Sequence, residues 1–313
     1  MNIALLIFSK VFPLYLNVLL GIIASVFNFV DRRSIASLLV YLIGPIVVFN
    51  ACLTVHIDKS LVIMPILLYF ISSFIAFFVL FFLKKYFNDN TINILSFTSG
   101  TGNTGYFGIP LAIILFNENV ANAYIFTVIS SLLYESTTGF YVTAKGKFSP
   151  KESFLKVLKL PLVYAFLIGI ILNLLNVKVY DWIIEYSSYF KSTYGLLGMM
   201  MLGMGLTGTT PSSLVDMKLI SFSFFFKFLV WPLIVAGMIF LDSHVMQLIK
   251  SEYYPVLALF SVVPLAGNTI TLAVLVGLNP SKASLTVFLS TVFSIPYIPV
   301  ALSIFSAIFG FRF

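Results

Sequence analysis

Residues 99–110 read Ser-Gly-Thr-Gly-Asn-Thr-Gly-Tyr-Phe-Gly-Ile-Pro and lie inside a long apolar segment. Proline removes a backbone donor and clashes with the preceding helical turn, and glycine leaves helical geometry easily. A second apolar segment carries Pro264, Gly267 and Asn268 at a comparable depth. The sequence therefore predicts two helices that are each broken near the middle.

The composition predicts that these segments lie in a lipid bilayer. Of the 313 residues, 60% are hydrophobic and 9% are charged, whereas a soluble domain is about 25% charged. A helix that crosses the bilayer needs about 20 residues. Lys and Arg in such a chain usually reflect its orientation, so the net charge of +7 indicates no nucleic-acid partner. We expect an all-α integral membrane protein that has no soluble domain.

Hydrophobic runs bounded by charged residues, proline, asparagine or glycine predict ten transmembrane helices, five in each half of the chain. The first five-helix repeat is assigned to 1–143, a cytoplasmic connecting loop to 144–159, and the second repeat to 160–313. We expect the spans, numbered 1 to 10, at 5–30, 35–55, 61–83, 92–116, 120–143, 160–176, 188–209, 219–240, 254–277 and 282–309.

The distribution of basic residues predicts the orientation. The loops that follow odd-numbered spans carry 11 Lys and Arg residues, against 6 in the even-numbered loops and termini. The positive-inside rule places the odd-numbered loops in the cytoplasm. We therefore expect a multi-pass protein of the cell membrane with both termini extracytoplasmic.

Short matches between the halves indicate an inverted repeat, since five spans per half give the halves opposite orientations. The segment from Pro13 to Ile23 recurs from Pro161 to Ile171, with proline and glycine at the same offset. The matches at the breaks and in the following spans occur in the same order: Gly102-Asn103-Thr104 with Gly267-Asn268-Thr269, and Ser130-Ser131 with Ser290-Thr291. Inverted repeats with broken helices are a common transporter plan.

Two opposed breaks predict a polar site, because unpaired backbone is tolerated in a bilayer only where protein or a cavity covers it. The N-terminal ends of half-helices carry partial positive charge, which suits an anion. The glycines at 102, 105 and 108 alternatively allow close helix packing, and Asn50 and Thr207 alternatively bond a neighbouring backbone. The candidate substrate-binding residues are Asn103, Thr104, Gly105, Pro110, Pro264, Gly267, Asn268, Thr269, Asn50, Thr207, Ser130 and Ser131.

Glu135 and Lys227 are the charged residues placed well inside predicted spans. A charge at such depth is costly unless it is paired, hydrated or neutralised. We expect the two side chains to face each other at similar depth, with Glu135 as a proton-coupling carboxylate and Lys227 as its partner. A purely structural ion pair, or a Lys227 side chain extending toward the cytoplasm, remains the alternative.

The motif Asn103-Thr104-x-x-x-Gly108-Ile109-Pro110 resembles the auxin efflux carrier family, which includes plant auxin exporters and bacterial permeases for malate, malonate and similar acids. The spacing of Pro264, Pro280 and Pro296 is similar to the family pattern. Asn268 stands where the plant pattern has a second proline, and the connecting loop is short, as in the bacterial members.

The resemblance implies two inverted five-helix repeats, related in fold to the bile-acid sodium symporters. Spans 4 and 9 would cross at their breaks at mid-membrane, and a transport domain would move against a scaffold of spans 1, 2, 6 and 7. Asn103 would contact the substrate carboxylate, and Pro110 would belong to the break of span 4.

The leading functional hypothesis is a secondary transporter that moves a small organic anion, such as malate, malonate or an auxin-like acid, by elevator-type alternating access. The alternative within transport is a sodium-coupled organic-anion symporter of the bile-acid carrier type, since Asn103, Thr104, Ser130, Ser131 and Asn268 offer oxygen ligands. A receptor or an intramembrane enzyme is disfavoured, because the sequence shows no catalytic constellation, metal-ligand spacing or signalling domain. We expect no cofactor beyond a coupling H⁺ or Na⁺, and a homodimer is compatible with the sequence.

Overall fold

The fold is helical throughout the part of the chain that the computed structural model describes, which comprises residues 3–87, 89–144, 161–205, 215–275, 278 and 280–311. Four of its helical segments are long and apolar enough to cross a membrane: Ile7–Val26, Lys59–Phe82, Met217–Met246 and Lys282–Phe309. The prediction of an all-helical membrane protein is confirmed at this level.

The helical segments follow the order of the predicted spans, and we number them accordingly. Helix α4 consists of the halves α4a and α4b, and α9 of the halves α9a and α9b. Their bounds are Ile3–Val26 (α1), 32–54 (α2), Lys59–Phe82 (α3), Thr91–Gly100 (α4a), Ile109–Leu115 (α4b), 118–144 (α5), Pro161–Leu174 (α6), Asp181–Gly205 (α7), Met217–Met246 (α8), Tyr254–Val262 (α9a), Asn268–Leu275 (α9b) and Pro280–Phe309 (α10).

Helix α7 differs most from its predicted bounds, because it begins at Asp181 rather than at 188. Its first turns carry exposed charged residues, Asp181 and Glu185. A search for apolar runs excludes such turns although they continue the same helix. The connecting loop assigned to 144–159 lies outside the described residues except at its first position, Ala144.

Three helices widen into a five-residue π turn shortly before a proline. A proline ring clashes with the carbonyl group four residues earlier and offers no amide to it, and a wider turn moves that carbonyl away. Proline accompanies these three irregular turns, although Pro13, Pro65 and Pro296 lie inside continuous helices and the π turn Asp242–Met246 has no proline directly after it. The π turns are Leu39–Ile43 before Pro45, Thr104–Gly108 before Pro110, and Phe226–Val230 before Pro232.

Helix α1 packs along α7, with the two backbones in direct contact. A Cβ atom at Gly21 would overlap the carbonyl group of Met200, and one at Gly203 would overlap that of Val18. Small residues allow such close approach between helices in membranes. The two glycines therefore fix the α1–α7 contact.

Helix α6 packs along α2 in the corresponding way. A Cβ atom at Gly169 would lie 2.8 Å from both the Phe49 carbonyl oxygen and the Cβ atom of Cys52. Gly169 is the sequence match of Gly21, so corresponding glycines make corresponding contacts. Asn173 also donates from Nδ2 to the carbonyl oxygen of Val55 at 2.8 Å, and thereby binds the C-terminal end of α2.

Helices α3, α4a, α5, α8, α9 and α10 form a second packed group, and α4b contacts α1 and α7 as well as α5. Asp58 lies at the start of α3, where its Oδ1 accepts a hydrogen bond from the Leu61 amide at 2.9 Å. Its Oδ2 pairs with Nζ of Lys250 at 2.6 Å. This ion pair ties α3 to the segment before α9.

Asp216 has the equivalent arrangement at the start of α8. Its Oδ1 accepts from the Leu219 amide at 3.0 Å, and its Oδ2 pairs with Nζ of Lys282 at 2.8 Å. Lys282 also pairs with Asp89, just before α4a, at 3.3 Å. The starts of α4, α8 and α10 are therefore held together by one lysine.

Candidate functional site

The breaks of α4 and α9 meet in space. Residues 101–103 interrupt α4 and residues 263–267 interrupt α9. The backbone amide of Asn103 donates to the carbonyl oxygen of Pro264 at 2.7 Å. Each break thus satisfies part of the backbone that the other leaves unpaired, as buried backbone requires.

Asn103 caps the π turn Thr104–Gly108, which leads into α4b. Its Oδ1 accepts from the amide of Phe107 at 3.3 Å, and its backbone carbonyl accepts from the amide of Gly108 at 2.9 Å. Its Nδ2 group is buried and has no hydrogen-bond partner among the residues that the structure describes. An unpaired buried donor costs about 1–3 kcal/mol, so this amide is suited to an acceptor that the protein itself does not supply.

A cavity of about 230 Å³ opens beside Asn103. One wall comes from α2, α6 and α7, which carry Val47, Leu162 and Tyr194, and the opposite wall comes from α4, α5 and α9. The cavity therefore lies between the two groups of packed helices. The predicted site residues that line it are Asn103, Thr104, Gly105, Ser131, Glu135, Gly267 and Asn268.

Glu135 of α5 connects both breaks across this cavity. Its Oε1 accepts from the hydroxyl group of Thr101 at 2.9 Å, and its Oε2 accepts from Nδ2 of Asn268 at 2.6 Å. Thr101 ends α4a, and Asn268 begins α9b. One carboxylate thus holds a helix end from each broken helix. Thr101 belongs to the motif region of the sequence, but its hydroxyl was not among the predicted site residues.

Two tight contacts fix the remainder of the motif. The hydroxyl group of Thr104 donates to that of Ser131 at 3.0 Å, which ties α4 to α5. The Tyr124 hydroxyl donates to the carbonyl oxygen of Thr104 at 3.4 Å. A Cβ atom at Gly108 would overlap that hydroxyl. Gly108 is therefore needed for close contact with α5. For this glycine the contact agrees with the alternative interpretation, in which the glycines at 102, 105 and 108 allow close helix packing.

The expected ion pair between Glu135 and Lys227 is not formed, and that prediction is wrong. Lys227 is fully buried in the π turn of α8, where its Nζ donates to the Phe260 carbonyl oxygen at 3.5 Å. Glu135 instead bonds Thr101 and Asn268. The two charged residues approach adjacent positions of the same break, since Lys227 lies against Gly102.

The family model described as "Membrane transport protein" matches residues 147–302, about half of the chain. The matched half includes Lys227 and the whole of α9. The chain belongs to this family, that of the auxin efflux carriers. No curated protein matches the carrier.

Some predicted site residues of the carrier lie away from the cavity. Ser130 donates to the carbonyl oxygen of Thr127 at 2.8 Å, within its own helix. Its counterpart Ser290 accepts from the amide of Leu265 at 3.1 Å and thus supports the break of α9. The repeat match and the hydroxyl oxygen suggested Ser130, but neither gives the face of a helix. Asn50, Pro110, Pro264 and Thr269 do not line the cavity, and Thr207 is outside the described residues.

Proposed function

We propose that the carrier is a secondary transporter that binds a small organic anion in the cavity between α4 and α9. The observation that carries the proposal is the buried Nδ2 group of Asn103, a cavity-lining residue, which has no partner within the described part of the chain. A carboxylate oxygen is a strong acceptor for such a donor. Binding would remove the cost of leaving the amide unpaired.

The local electrostatics support an anion. The first amides of a helix lack intrahelical acceptors and carry partial positive charge. The turn that begins at Thr104 and the half-helix that begins at Asn268 both present their N-terminal residues to the cavity. An anion between them would interact favourably with both ends.

The size of the cavity favours a small acid. Sites for drug-sized ligands are about 300–1,000 Å³, and this cavity is about 230 Å³. A mono- or dicarboxylate of a few carbon atoms is therefore a better match than a steroid-sized acid of the kind carried by bile-acid symporters. We propose malate, malonate and auxin-like acids as the first compounds to test.

The packing supports elevator-type alternating access. The cavity lies between α2, α6 and α7, which together with α1 are proposed as the scaffold, and the helices that contain both breaks. The hydrogen bond from Asn103 to Pro264 would keep α4 and α9 together during movement. The matching contacts of Gly21 and Gly169 support two inverted repeats, as alternating access commonly uses.

Glu135 is proposed as the coupling residue. Its carboxylate lines the same cavity as the bound anion, so a negative substrate would be repelled unless Glu135 carries a proton. Anion binding and proton binding would then favour each other by linkage. Sodium coupling is the competing proposal, since the Thr101 hydroxyl bonds the same carboxylate and Thr104 and Ser131 add hydroxyl oxygens to the lining of the same cavity.

The test begins with thermal unfolding of the purified protein in the presence of mono- and dicarboxylates, because a ligand that binds the folded state raises Tm. Uptake of the stabilising acid into proteoliposomes is then measured with a proton gradient and with a sodium gradient. Asn103→Ala is expected to abolish uptake, whereas Asn17→Ala, at a half-buried position of α1 outside the cavity, should retain it. Full uptake by Asn103→Ala would reject this site.

A further inference from the structure

The C-terminal ends of α4a and α9a meet the same face of α8. The indole Nε1 of Trp231 donates to the carbonyl oxygen of Ser99, in the last turn of α4a, at 2.7 Å. One turn earlier on α8, Nζ of Lys227 donates to the carbonyl oxygen of Phe260, in the last turn of α9a. The last carbonyl groups of a helix have no intrahelical partner. Helix α8 supplies donors to both sets.

Lys227 is buried without a carboxylate partner. Its side chain is 0% exposed, and no ion pair involves its Nζ among the residues that the structure describes. A helix C-terminus carries partial negative charge, and the end of α9a accepts from Nζ of Lys227 through the Phe260 carbonyl oxygen. The ring of Trp231 adds a cation–π contact, with its centroid 5.2 Å from Nζ.

Gly102 leaves the space that the ammonium group occupies. A Cβ atom at Gly102 would lie 2.5 Å from Nζ of Lys227 and 2.9 Å from Cγ2 of Val263. Because Gly102 and Val263 both belong to the breaks, the ammonium lies directly against unwound backbone. The Lys227 amino group can therefore occupy this position only because residue 102 has no side chain.

Transporters with broken helices commonly hold a coupling cation against unwound carbonyl groups and the C-terminal ends of half-helices. Nζ of Lys227 lies at the C-terminal end of α9a and beside the unwound residue Gly102, so its position resembles such a site. The end of α9a, the break at Gly102 and the ring of Trp231 surround an amino group that is covalently part of the protein.

We propose that Lys227 is a tethered cation that permanently fills a cation site at the crossing of α4 and α9. An inorganic monovalent cation is then not required at this position, and removal of the lysine side chain creates a vacant site for one. The inference builds on the transporter assignment, but it depends neither on the identity of the substrate nor on the role of Asn103.

The test measures thermal unfolding of purified protein in chlorides of Na⁺, K⁺, choline and n-propylammonium, the last of which matches the lysine side chain beyond Cβ. The variants are Lys227→Ala, which empties the site, and Lys227→Met, which keeps the stem without the charge. Lys218→Ala, at an exposed lysine of the same helix, is the matched control.

The wild type and Lys218→Ala are expected to show the same Tm in all four salts. Lys227→Ala should unfold at a lower Tm that n-propylammonium or Na⁺ raises in a saturable manner, whereas choline should not. Lys227→Met should also unfold at a lower Tm, without rescue, because its stem fills the space.

A Tm of Lys227→Ala that is identical in all four salts would overturn the proposal. If Lys227→Ala does not fold, the Tm of Lys227→Met tests the proposal instead. A Tm equal to or above that of the wild type would overturn it, because the helix ends would then need no counter-charge. A wild-type protein that transports no carboxylate would reject the proposed substrate class, but the unfolding data would still report on the cation site.

Discussion

Asn268 donates from Nδ2 to Oε2 of Glu135 at 2.6 Å, and this bond joins the start of α9b to α5 at the edge of the proposed substrate cavity. We expect Glu135→Gln to lose uptake driven by a proton gradient while retaining exchange of substrate across the membrane, because glutamine preserves the shape but does not bind a proton. Proteoliposome uptake and counterflow of the same acid measure the two processes. Glu118→Gln, at an exposed residue far from the cavity, is the control. Unchanged gradient-driven accumulation in Glu135→Gln would contradict the coupling role.

The contact between Gly108 and Tyr124 gives a prediction on stability. Gly108→Ala is expected to lower the free energy of unfolding by about 1–3 kcal/mol, the usual cost of overpacking a filled core. Tyr124→Phe removes the hydroxyl group that the new methyl group meets, so the double variant should recover part of the loss. Unfolding in detergent measures both. Gly237→Ala is the control because a Cβ atom there meets nothing within 4 Å, and an equal loss in that variant would remove the contact as the cause.

The capping carboxylates predict acid sensitivity. Burial acts to raise the pKa of Asp58 and of Asp216, but hydrogen bonds from Lys250 or Lys282 and from a backbone amide outweigh it and lower both pKa values below 3.8. A depressed folded-state pKa contributes stability that is complete above 3.8 and is lost as the pH falls through the folded value. Asp58→Asn and Asp216→Asn should therefore lower Tm at neutral pH and flatten its decline in acid. Asp181→Asn, at the exposed start of α7, is the control and should retain the wild-type dependence of Tm on pH. An undiminished decline of Tm in acid in both Asp58→Asn and Asp216→Asn would refute this account.

The charge distribution predicts the orientation of the loops. In a Cys52→Ala background, a cysteine introduced at Lys178, between α6 and α7, should react with an impermeant thiol reagent in intact cells. A cysteine at Lys84, after α3, should react only after the membrane is opened. The reverse pattern would invert the assigned topology and place both termini in the cytoplasm.

The position of the broken helices could be read from the sequence because proline and glycine act locally. Pro110 follows a run of glycines that leave helical geometry easily, so this break could be predicted without knowledge of the neighbours, whereas Pro13, Pro65 and Pro296 lie inside continuous helices. The partner of Lys227 could not be read in this way. Counting residues gives the depth of a side chain along the membrane normal, but it does not give the direction in which the side chain points around the bundle. Lys227 and Glu135 have similar estimated depths, yet Lys227 bonds Phe260.

The glycine contacts between α1 and α7 make this helix pair resistant to sliding. Gly21 contacts the backbone of Met200, and Gly203 contacts the backbone of Val18. Sliding of one helix along the other would therefore meet a large energy barrier. The cavity wall at Val47 consists instead of side chains, which change rotamer without moving the backbone. Resistance to shear is therefore greatest where glycines bring backbones together, at the α1–α7 contact and, through Gly169, at the α2–α6 contact, whereas the cavity wall can rearrange by side-chain motion alone.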